Sequence, residues 1–187
     1  MRLESINTGR GVAFAMILEG KKVNLRPMTL AEVPDFYKWA IQSPFWYGEY
    51  SDEKIPTFEE FKNDWKGYYF DGSQPEKGRC FAILANDKVI GEINYNEINR
   101  RDDLGELDII IYRDSDKGKG YGPDALKTLV NWLFSKMNVN RFLIEAVTKN
   151  DRAIKAYKKA GFKTTRTFSK NGMEWAHLER WLSRKDL

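Results

Sequence analysis

The sequence has a single cysteine, Cys80, and a single histidine, His177. A lone cysteine excludes a disulfide within the chain and gives no sign of a secreted protein. Zinc sites use three or four cysteine, histidine or acidic ligands, so we predict no metal. Cys80 stands in an apolar run without a nearby histidine, which indicates a core residue, and a single strand histidine is usually structural as well.

Long apolar runs are also missing from the chain. The apolar run at residues 12–18 is too short to cross a bilayer. Residues 19–22, Glu-Gly-Lys-Lys, follow it where a secretory signal would need small residues for cleavage. We therefore expect a cytoplasmic protein with no membrane partner.

Charge of one sign does not dominate either. Lys and Arg number 31 against 27 Asp and Glu, a net charge of +4. This balance suits a small anionic ligand, but no dense basic tract is present and basic residues do not alternate with aromatic ones along one element. We predict no nucleic-acid partner and leave monomer and homodimer open.

The chain of 187 residues is long enough for one sizeable core. Residues 1–15 fit the domain pattern poorly and are interpreted as an N-terminal extension, either non-native or disordered, with Met16 as the natural start. The predicted domain is residues 16–187.

Periodicity and turn residues predict an alternating series of strands and helices. Thr29 and Thr57 are predicted N-caps of two helices, the second of which continues to Tyr68. Asn86-Asp87 and Asn171-Gly172 are predicted hairpin turns. Predicted strands cover 22–26, 79–85, 88–98, 104–112, 141–148, 162–168 and 173–182, and helices follow residues 122 and 150. The order predicts an α/β (α+β) domain with a mixed, largely antiparallel central sheet flanked by helices.

A glycine-rich loop, Asp-Lys-Gly-Lys-Gly-Tyr-Gly, runs from Asp116 to Gly122 between a strand and a helix. Glycines let backbone N–H groups approach a ligand, and a helix N-terminus favours phosphate. No Gly-Lys-Ser/Thr follows, which excludes a Walker loop, and the preceding antiparallel strands disfavour a dinucleotide-binding fold. The loop is therefore a predicted phosphate cradle.

Two motifs resemble the GNAT superfamily of acyl-CoA N-acyltransferases. The family's loop signature is matched at Lys117, Gly120 and Gly122, with Lys in place of the usual Gln or Arg. A second element, from Asn150 to Phe162, is similar to the family's Asn-x-x-Ala-x-x-x-Tyr-x-x-x-Gly-Phe pattern. The resemblance implies the GNAT fold and an acetyl-CoA-dependent N-acetyltransferase.

The resemblance also implies residue roles. Tyr157 is expected to protonate the departing thiolate, with packing on the coenzyme arm as its other interpretation, and Asn150 is expected to bind the pantetheine or cap its helix. Backbone N–H groups near Ile109 and Ile111 are expected to hold the carbonyl oxygen. The predicted coenzyme site comprises Ile109, Ile111, Lys117, Gly118, Lys119, Gly120, Tyr121, Gly122, Asn150 and Ala153, with Lys155 and Lys158 as weaker candidates for a phosphate.

Asp108 is the first candidate for the base that deprotonates the amine, and Glu106 is the second. Both lie on the strand that leads into the glycine loop and share one face of it. The alternative is a solvent-facing pair of acids. Asp108 also matches the aspartate proposed as base in aminoglycoside 6′-N-acetyltransferases, which this chain resembles.

An acidic and aromatic segment, residues 45–64, indicates a cationic acceptor. Trp46, Tyr47, Glu49 and Asp52 are the predicted substrate-binding residues. An aminoglycoside-type amino sugar, a protein N-terminus and a polyamine stay open, as does a coenzyme A-binding sensor without turnover. If the acceptor is an aminoglycoside, antibiotic resistance is the expected consequence.

Overall fold

The computed structural model describes residues 2–7, 12–44, 46–48, 51, 53–183 and 185. Within these ranges nine strands form one sheet in the order β1-β2-β3-β4-β5-β6-β7-β9-β8. The strands are β1 Arg2–Asn7, β2 Val12–Glu19, β3 Asn24–Pro27, β4 Arg79–Ala85, β5 Lys88–Tyr95, β6 Leu104–Ile111, β7 Arg141–Val147, β8 Lys163–Lys170 and β9 Met173–Trp181. All neighbours pair antiparallel except β6 and β7, which are parallel. The predicted mixed, largely antiparallel sheet is confirmed.

Residues 2–7 and 12–19 form the β1–β2 hairpin at the edge of this sheet. β2 then pairs with β3 through Leu18 and Leu25. Part of the N-terminal extension, residues 1–15, therefore forms strand in the structure. The domain boundary at residue 16 stays a prediction.

Five α-helices are described: α1 Val33–Ala40, α2 Phe58–Asp64, α3 Tyr68–Asp71, α4 Tyr121–Met137 and α5 Asp151–Lys159, together with two 3₁₀ turns, Leu30–Glu32 and Asp114–Asp116. Each face of the sheet carries its own apolar core. α4 and α5 pack on one face through residues such as Leu126, Leu129 and Tyr157, and we call this the α4–α5 core. α1, α2 and α3 pack on the other through Phe36, Phe61 and Phe70, and we call this the α1–α3 core. None of the helices in the described ranges is long and apolar enough to cross a membrane.

Thr57 is the N-cap of α2 as predicted, whereas Thr29 precedes a 3₁₀ turn, Leu30–Glu32, and Glu32 stands at the N-cap position of α1. Glu32 accepts the backbone N–H of Thr29 at 2.8 Å, and Glu60 accepts that of Thr57 at 2.7 Å. The prediction that the second helix continues to Tyr68 was wrong, because Trp65 leaves the helical conformation with ψ of 90° and α2 ends at Asp64. The Trp65 ring packs edge-on against Phe36, with ring centroids 4.8 Å apart. Tertiary packing of this ring accompanies the break.

Both predicted hairpin turns are confirmed by the backbone. Asn86 and Asp87 have φ of 49° and 59°, and Asn171 and Gly172 have φ of 54° and 75°. Positive φ at both central residues gives a turn whose twist matches the flanking strands. These turns set the register of β4 with β5 and of β8 with β9.

Candidate functional site

The parallel strands β6 and β7 separate part-way along their length. Their register runs only from Leu104–Arg141 to Glu106–Leu143, although β6 continues to Ile111 and β7 to Val147. The other edge of each strand stays paired, β6 with β5 and β7 with β9. A gap therefore opens in the middle of the sheet, and we call it the β6–β7 gap.

Main-chain groups point into this gap from β6. Asn96 donates its N–H to the Glu106 carbonyl, and Tyr112 donates to Ile90, both at 2.9 Å. Main-chain hydrogen bonds of an antiparallel pair involve every second residue of a strand, so the backbone N–H and C=O groups of the even-numbered β6 residues point to β5. The polar backbone of Ile109 and Ile111 therefore faces the gap, which supports the predicted role of these two residues.

The glycine loop lies after the wide end of the gap and before α4. Gly118 and Gly120 have φ of 80° and 86°, and α4 begins at Tyr121. The five successive N–H groups from Gly118 to Gly122 donate to no acceptor in the part of the chain that the structure describes. Such a run of free amides at a helix N-terminus fits an anionic ligand.

The loop and the first turn of α4 contact the residues directly before β3, which the sequence did not indicate. Lys22 donates its Nζ to the Lys119 carbonyl at 2.9 Å. The side chain of Asp124 accepts the N–H groups of Lys22 and Val23 at 2.6 and 3.0 Å. These partners lie about a hundred positions apart in sequence, so no local pattern connects them. Lys22 adds a cation directly beside the predicted phosphate cradle.

Other cations around the loop are partly neutralised. Asp114 pairs with Lys117 at 2.9 Å and with Arg152 at 3.2 Å. Lys119 lies 3.6 Å from Asp116. Lys155 and Lys158 are exposed on α5, where a solvated helix face explains them equally well.

Replacing Gly118 by Ala is expected to weaken acetyl-CoA binding roughly ten- to a hundredfold. A Cβ there would meet no protein atom within 4 Å and would stand in the open cradle. The left-handed backbone itself adds about 1–2 kcal/mol of strain in the folded state. The added methyl group would block one charge-assisted contact between a backbone amide and the ligand, which accounts for the expected loss of affinity. Isothermal titration with acetyl-CoA measures the effect.

Gly172→Ala is the matched control for this variant. Gly172 has φ of 75° and equally open surroundings, but it lies in the β8–β9 turn. Both variants should lose similar thermal stability, and only Gly118→Ala should lose affinity. Equal affinities for the two variants would contradict a phosphate cradle at Gly118.

The second sequence motif forms α5 and its cap. The Asn150 side chain accepts the N–H of Ala153 at 3.1 Å and so caps the helix. Tyr157 is buried in the core between the sheet, α4 and α5. Burial raises the pKa of Tyr157 strongly, and the nearby charge of Asp108 adds to the rise. Asn150 therefore caps its helix, which is one of its two predicted roles. Tyr157 stays protonated at neutral pH, because its pKa is raised.

Asp108 lies on β6 opposite Asn94 of β5. Its Oδ2 accepts the amide of Asn96 at 2.9 Å and that of Asn94 at 3.5 Å. Burial raises the pKa of Asp108, and these two amides act against the rise. A carboxyl group with a raised pKa is a stronger base when ionised than an ordinary aspartate.

Glu106 and Glu145 are close enough to Asp108 for their charges to interact. Burial raises the pKa of Glu106, and the charges of Asp108 and Glu145 raise it further. Sequence reasoning missed Glu145, which lies on β7 beside the β6–β7 gap. Its Oε1 is 2.7 Å from Nδ1 of His177, a buried residue of β9. Alternation along β7 could have indicated the face of its side chain, but not its partner.

Trp46 and Tyr47 lie at the edge of the α1–α3 core. The Trp46 ring meets that of Phe36 edge-on, with centroids 5.7 Å apart. Burial raises the pKa of Tyr47, and the charges of Glu53 and Asp64 contribute. The other two predicted acceptor residues, Glu49 and Asp52, lie outside the described residues.

Comparison with known proteins gives a consistent result. A family model described as an acetyltransferase (GNAT) domain matches residues 22–163. An N-acetyltransferase 9-like protein of Nematostella vectensis is 26% identical over 160 residues, covering 78% of this chain and 76% of that protein. Aminoglycoside N(6′)-acetyltransferase type 1 of Klebsiella pneumoniae is also 26% identical, over 176 residues, covering 87% of this chain and 85% of that protein.

A similar solved structure is AAC(6′)-Ib in complex with paromomycin and acetyl-CoA. It superposes with a TM-score of 0.70 at 22% identity and covers 89% of this chain and 96% of that one. At this identity the likeness concerns the fold.

Proposed function

Because the chain belongs to the GNAT acetyltransferase family, we propose that it acetylates a primary amine of an aminoglycoside-type amino sugar. Family membership makes it an acetyl-CoA-dependent N-acetyltransferase. The acceptor and the residue roles are the proposed part. The observation that carries them is the position of Asp108, with two neighbouring carboxylates, beside the β6–β7 gap.

The free amides of Gly118 to Gly122 would hold the diphosphate of acetyl-CoA. Their number and their place at the start of α4 suit a dianionic group, and Lys22 lies beside them. When bound, acetyl-CoA supplies an activated thioester. The amides of Ile109 and Ile111 that face the gap would stabilise negative charge on a carbonyl oxygen there.

An amine attacks only when it is neutral, so the site needs a group that accepts its proton. Asp108 Oδ2 is held by amides, whereas its Oδ1 accepts no hydrogen bond in the described part of the chain. We assign proton removal to Asp108 through Oδ1, directly or through a water. Glu106 is the second candidate and would bind the ammonium before transfer.

The departing thiolate needs a proton, and Tyr157 is assigned as its donor. A tyrosine whose pKa is raised by burial keeps its proton at neutral pH, so a proton is present on the hydroxyl when the thiolate departs. Tyr157 is on α5, and Asp108 is on β6. Tyr157 belongs to the α4–α5 core, whereas Asp108 bonds to Asn96, which bonds to Tyr69 of α3 on the other face. The acid and the base would therefore act from opposite sides of the sheet.

The acceptor class rests on charge and on similarity. Glu106, Asp108 and Glu145 form a carboxylate cluster that favours a substrate with more than one ammonium group. The Klebsiella relative acts, by its name, on aminoglycosides. Expression in a susceptible bacterium would then raise resistance to such antibiotics.

A second class of acceptor is favoured by a different observation. The Nematostella relative is equally identical and is not named for aminoglycosides. A protein N-terminus or a polyamine would present an amine to the same carboxylates. A coenzyme A-binding sensor is the non-catalytic alternative, and the presence of Asp108 and Tyr157 at the gap argues against it.

Thiol release from acetyl-CoA tests the proposal directly. The protein is mixed with kanamycin-type amino sugars, polyamines and peptides, and products are identified by mass spectrometry. Rapid release with an amino sugar and one added acetyl group on an amine is the expected result. Faster release with peptides or polyamines would move the acceptor to the second class, and no release with any amine would favour the sensor.

A further inference from the structure

Two asparagine side chains outside the predicted site contact Asp108, and a tyrosine contacts one of them. Asn96 donates its amide to Asp108 Oδ2 at 2.9 Å. Tyr69 of α3 donates its hydroxyl to the Asn96 carbonyl oxygen at 2.9 Å. Asn94 donates to the same oxygen at 3.1 Å and lies 3.5 Å from Asp108 Oδ2.

This arrangement fixes the orientation of the Asn96 amide. Two donors, the Tyr69 hydroxyl and the Asn94 amide, meet at the carbonyl oxygen of Asn96. The flipped amide would place its NH₂ group against both donors and its oxygen against the Asp108 carboxylate. The chemistry of the neighbours therefore directs the Asn96 NH₂ group to Asp108.

Asn94 contributes its amide NH₂ group to this array, while its own side-chain oxygen stays unpaired. The residue is 1% exposed, and its Oδ1 has no hydrogen-bond partner in the described structure. A buried acceptor without a partner is destabilising and is uncommon in native proteins. Its NH₂ group donates to Asn96 and Asp108. An unpaired buried oxygen beside these bonds is expected where the geometry of a site is kept although it lowers stability.

We propose that Tyr69 and Asn96, backed by Asn94, are positioning residues that hold Asp108 by Oδ2 and leave Oδ1 free for the acceptor amine. This inference rests on the proposed role of Asp108 as the base. The array also connects α3 to Asp108, because Tyr69 lies on α3 and bonds to Asn96, and the Tyr69 ring packs against Trp65 with ring centroids 5.2 Å apart. Tyr69 itself does not touch Asp108 through any hydrogen bond described.

The proposal sets the direction of a pH effect. Amide donors favour the ionised carboxylate and so lower the pKa of Asp108 against the effect of burial. The charged or titratable groups facing Asp108 are Glu106 on its own strand, Glu145 on β7, Tyr157 on α5, Glu92 on β5 and Tyr69 on α3. Removing the Asn96 amide should therefore raise the pKa of Asp108 further above its ordinary value.

Tyr69→Phe is the principal test, with Tyr68→Phe as its matched control. Tyr68 is adjacent on α3, its ring stacks on Tyr69 at 4.9 Å, and the same single oxygen is removed. Tyr69→Phe should lower kcat several-fold, leave the KM for acetyl-CoA unchanged and move the acid limb of the kcat/KM profile for the amine to higher pH. Tyr68→Phe should leave all three unchanged.

Asn96→Ala should produce the larger shift, and ¹³C NMR titration of the Asp108 carboxyl in the amine-free protein reads it without turnover. An unchanged Asp108 pKa in Asn96→Ala, or an unchanged kcat in Tyr69→Phe, would overturn the positioning role. If Asn96→Ala does not fold, Tyr69→Phe decides alone. Full activity in Asp108→Asn would instead reject the base, so the two failures are distinguishable.

Discussion

Asp108→Asn is expected to lower kcat by about 10²–10⁴-fold, the usual contribution of a general base. The amide keeps the shape of the carboxyl group, and its Oδ1 is able to accept the Asn96 donor, so the surrounding array survives. Acetyl-CoA binding should be unchanged, because the free amides of Gly118 to Gly122 are not altered. Steady-state kinetics and titration with acetyl-CoA separate the two effects.

The same variant should not lose stability at neutral pH. Burial raises the pKa of Asp108 in the folded protein above its ordinary value. A carboxyl group shifted in this direction stabilises the fold only at low pH, and that stability is lost as pH rises through the folded pKa. Asn cannot ionise, so the variant should unfold at an equal or higher temperature at pH 7, and the difference should shrink in acid.

Asp87→Asn is the matched control for Asp108→Asn. Asp87 is exposed in the β4–β5 turn with φ of 59°, a conformation that Asn accepts readily. Its turnover should equal that of the parent protein. If Asp108→Asn keeps more than about a tenth of parental kcat, a loss below the range for a general base, Asp108 is not the base and Glu106→Gln becomes the variant to measure.

Tyr157→Phe is expected to lower kcat by a similar factor of about 10²–10⁴, because the thiolate then leaves without its proton donor. The ring stays in the α4–α5 core, so folding and acetyl-CoA affinity should change little. A loss in kcat with an unchanged dissociation constant identifies an interaction made during the reaction and not in the bound state.

Tyr95→Phe provides the opposite signature. Tyr95 is fully buried, and its hydroxyl donates to the Pro75 carbonyl at 2.7 Å. Removing that hydroxyl should lower the free energy of unfolding by about 1 kcal/mol and leave kcat unchanged. If Tyr157→Phe behaves like Tyr95→Phe, the hydroxyl of Tyr157 has only a packing role.

Much of the site is encoded in short stretches of sequence. The glycine spacing after β6 predicted a loop with free amides, since glycines supply the positive φ that turns successive N–H groups outward. Asn150 marked the start of α5, and period-two alternation placed Glu106 and Asp108 on one face of β6. Local geometry suffices for each of these, because neighbouring residues alone set it.

Other parts of the site join residues that are far apart in the chain. Tyr69 reaches Asn96, Glu145 reaches His177, and Lys22 reaches Lys119, over separations of 27, 32 and 97 positions. No periodicity spans such distances. The acidic and aromatic segment at residues 45–64 indicated a cationic acceptor, but the carboxylates beside the β6–β7 gap come from two strands that the sequence does not show to be neighbours.

The sequence by itself determined the caps, the hairpin turns, the glycine loop and the strand faces, because backbone sterics and local hydrogen bonds decide these within a few residues. Tertiary structure alone decided that β6 and β7 run parallel and then separate, that Asp108 is desolvated and held by amides, and that α2 ends at Asp64. Desolvation and strand pairing depend on which distant segments pack together. That choice is made by burial of the whole core.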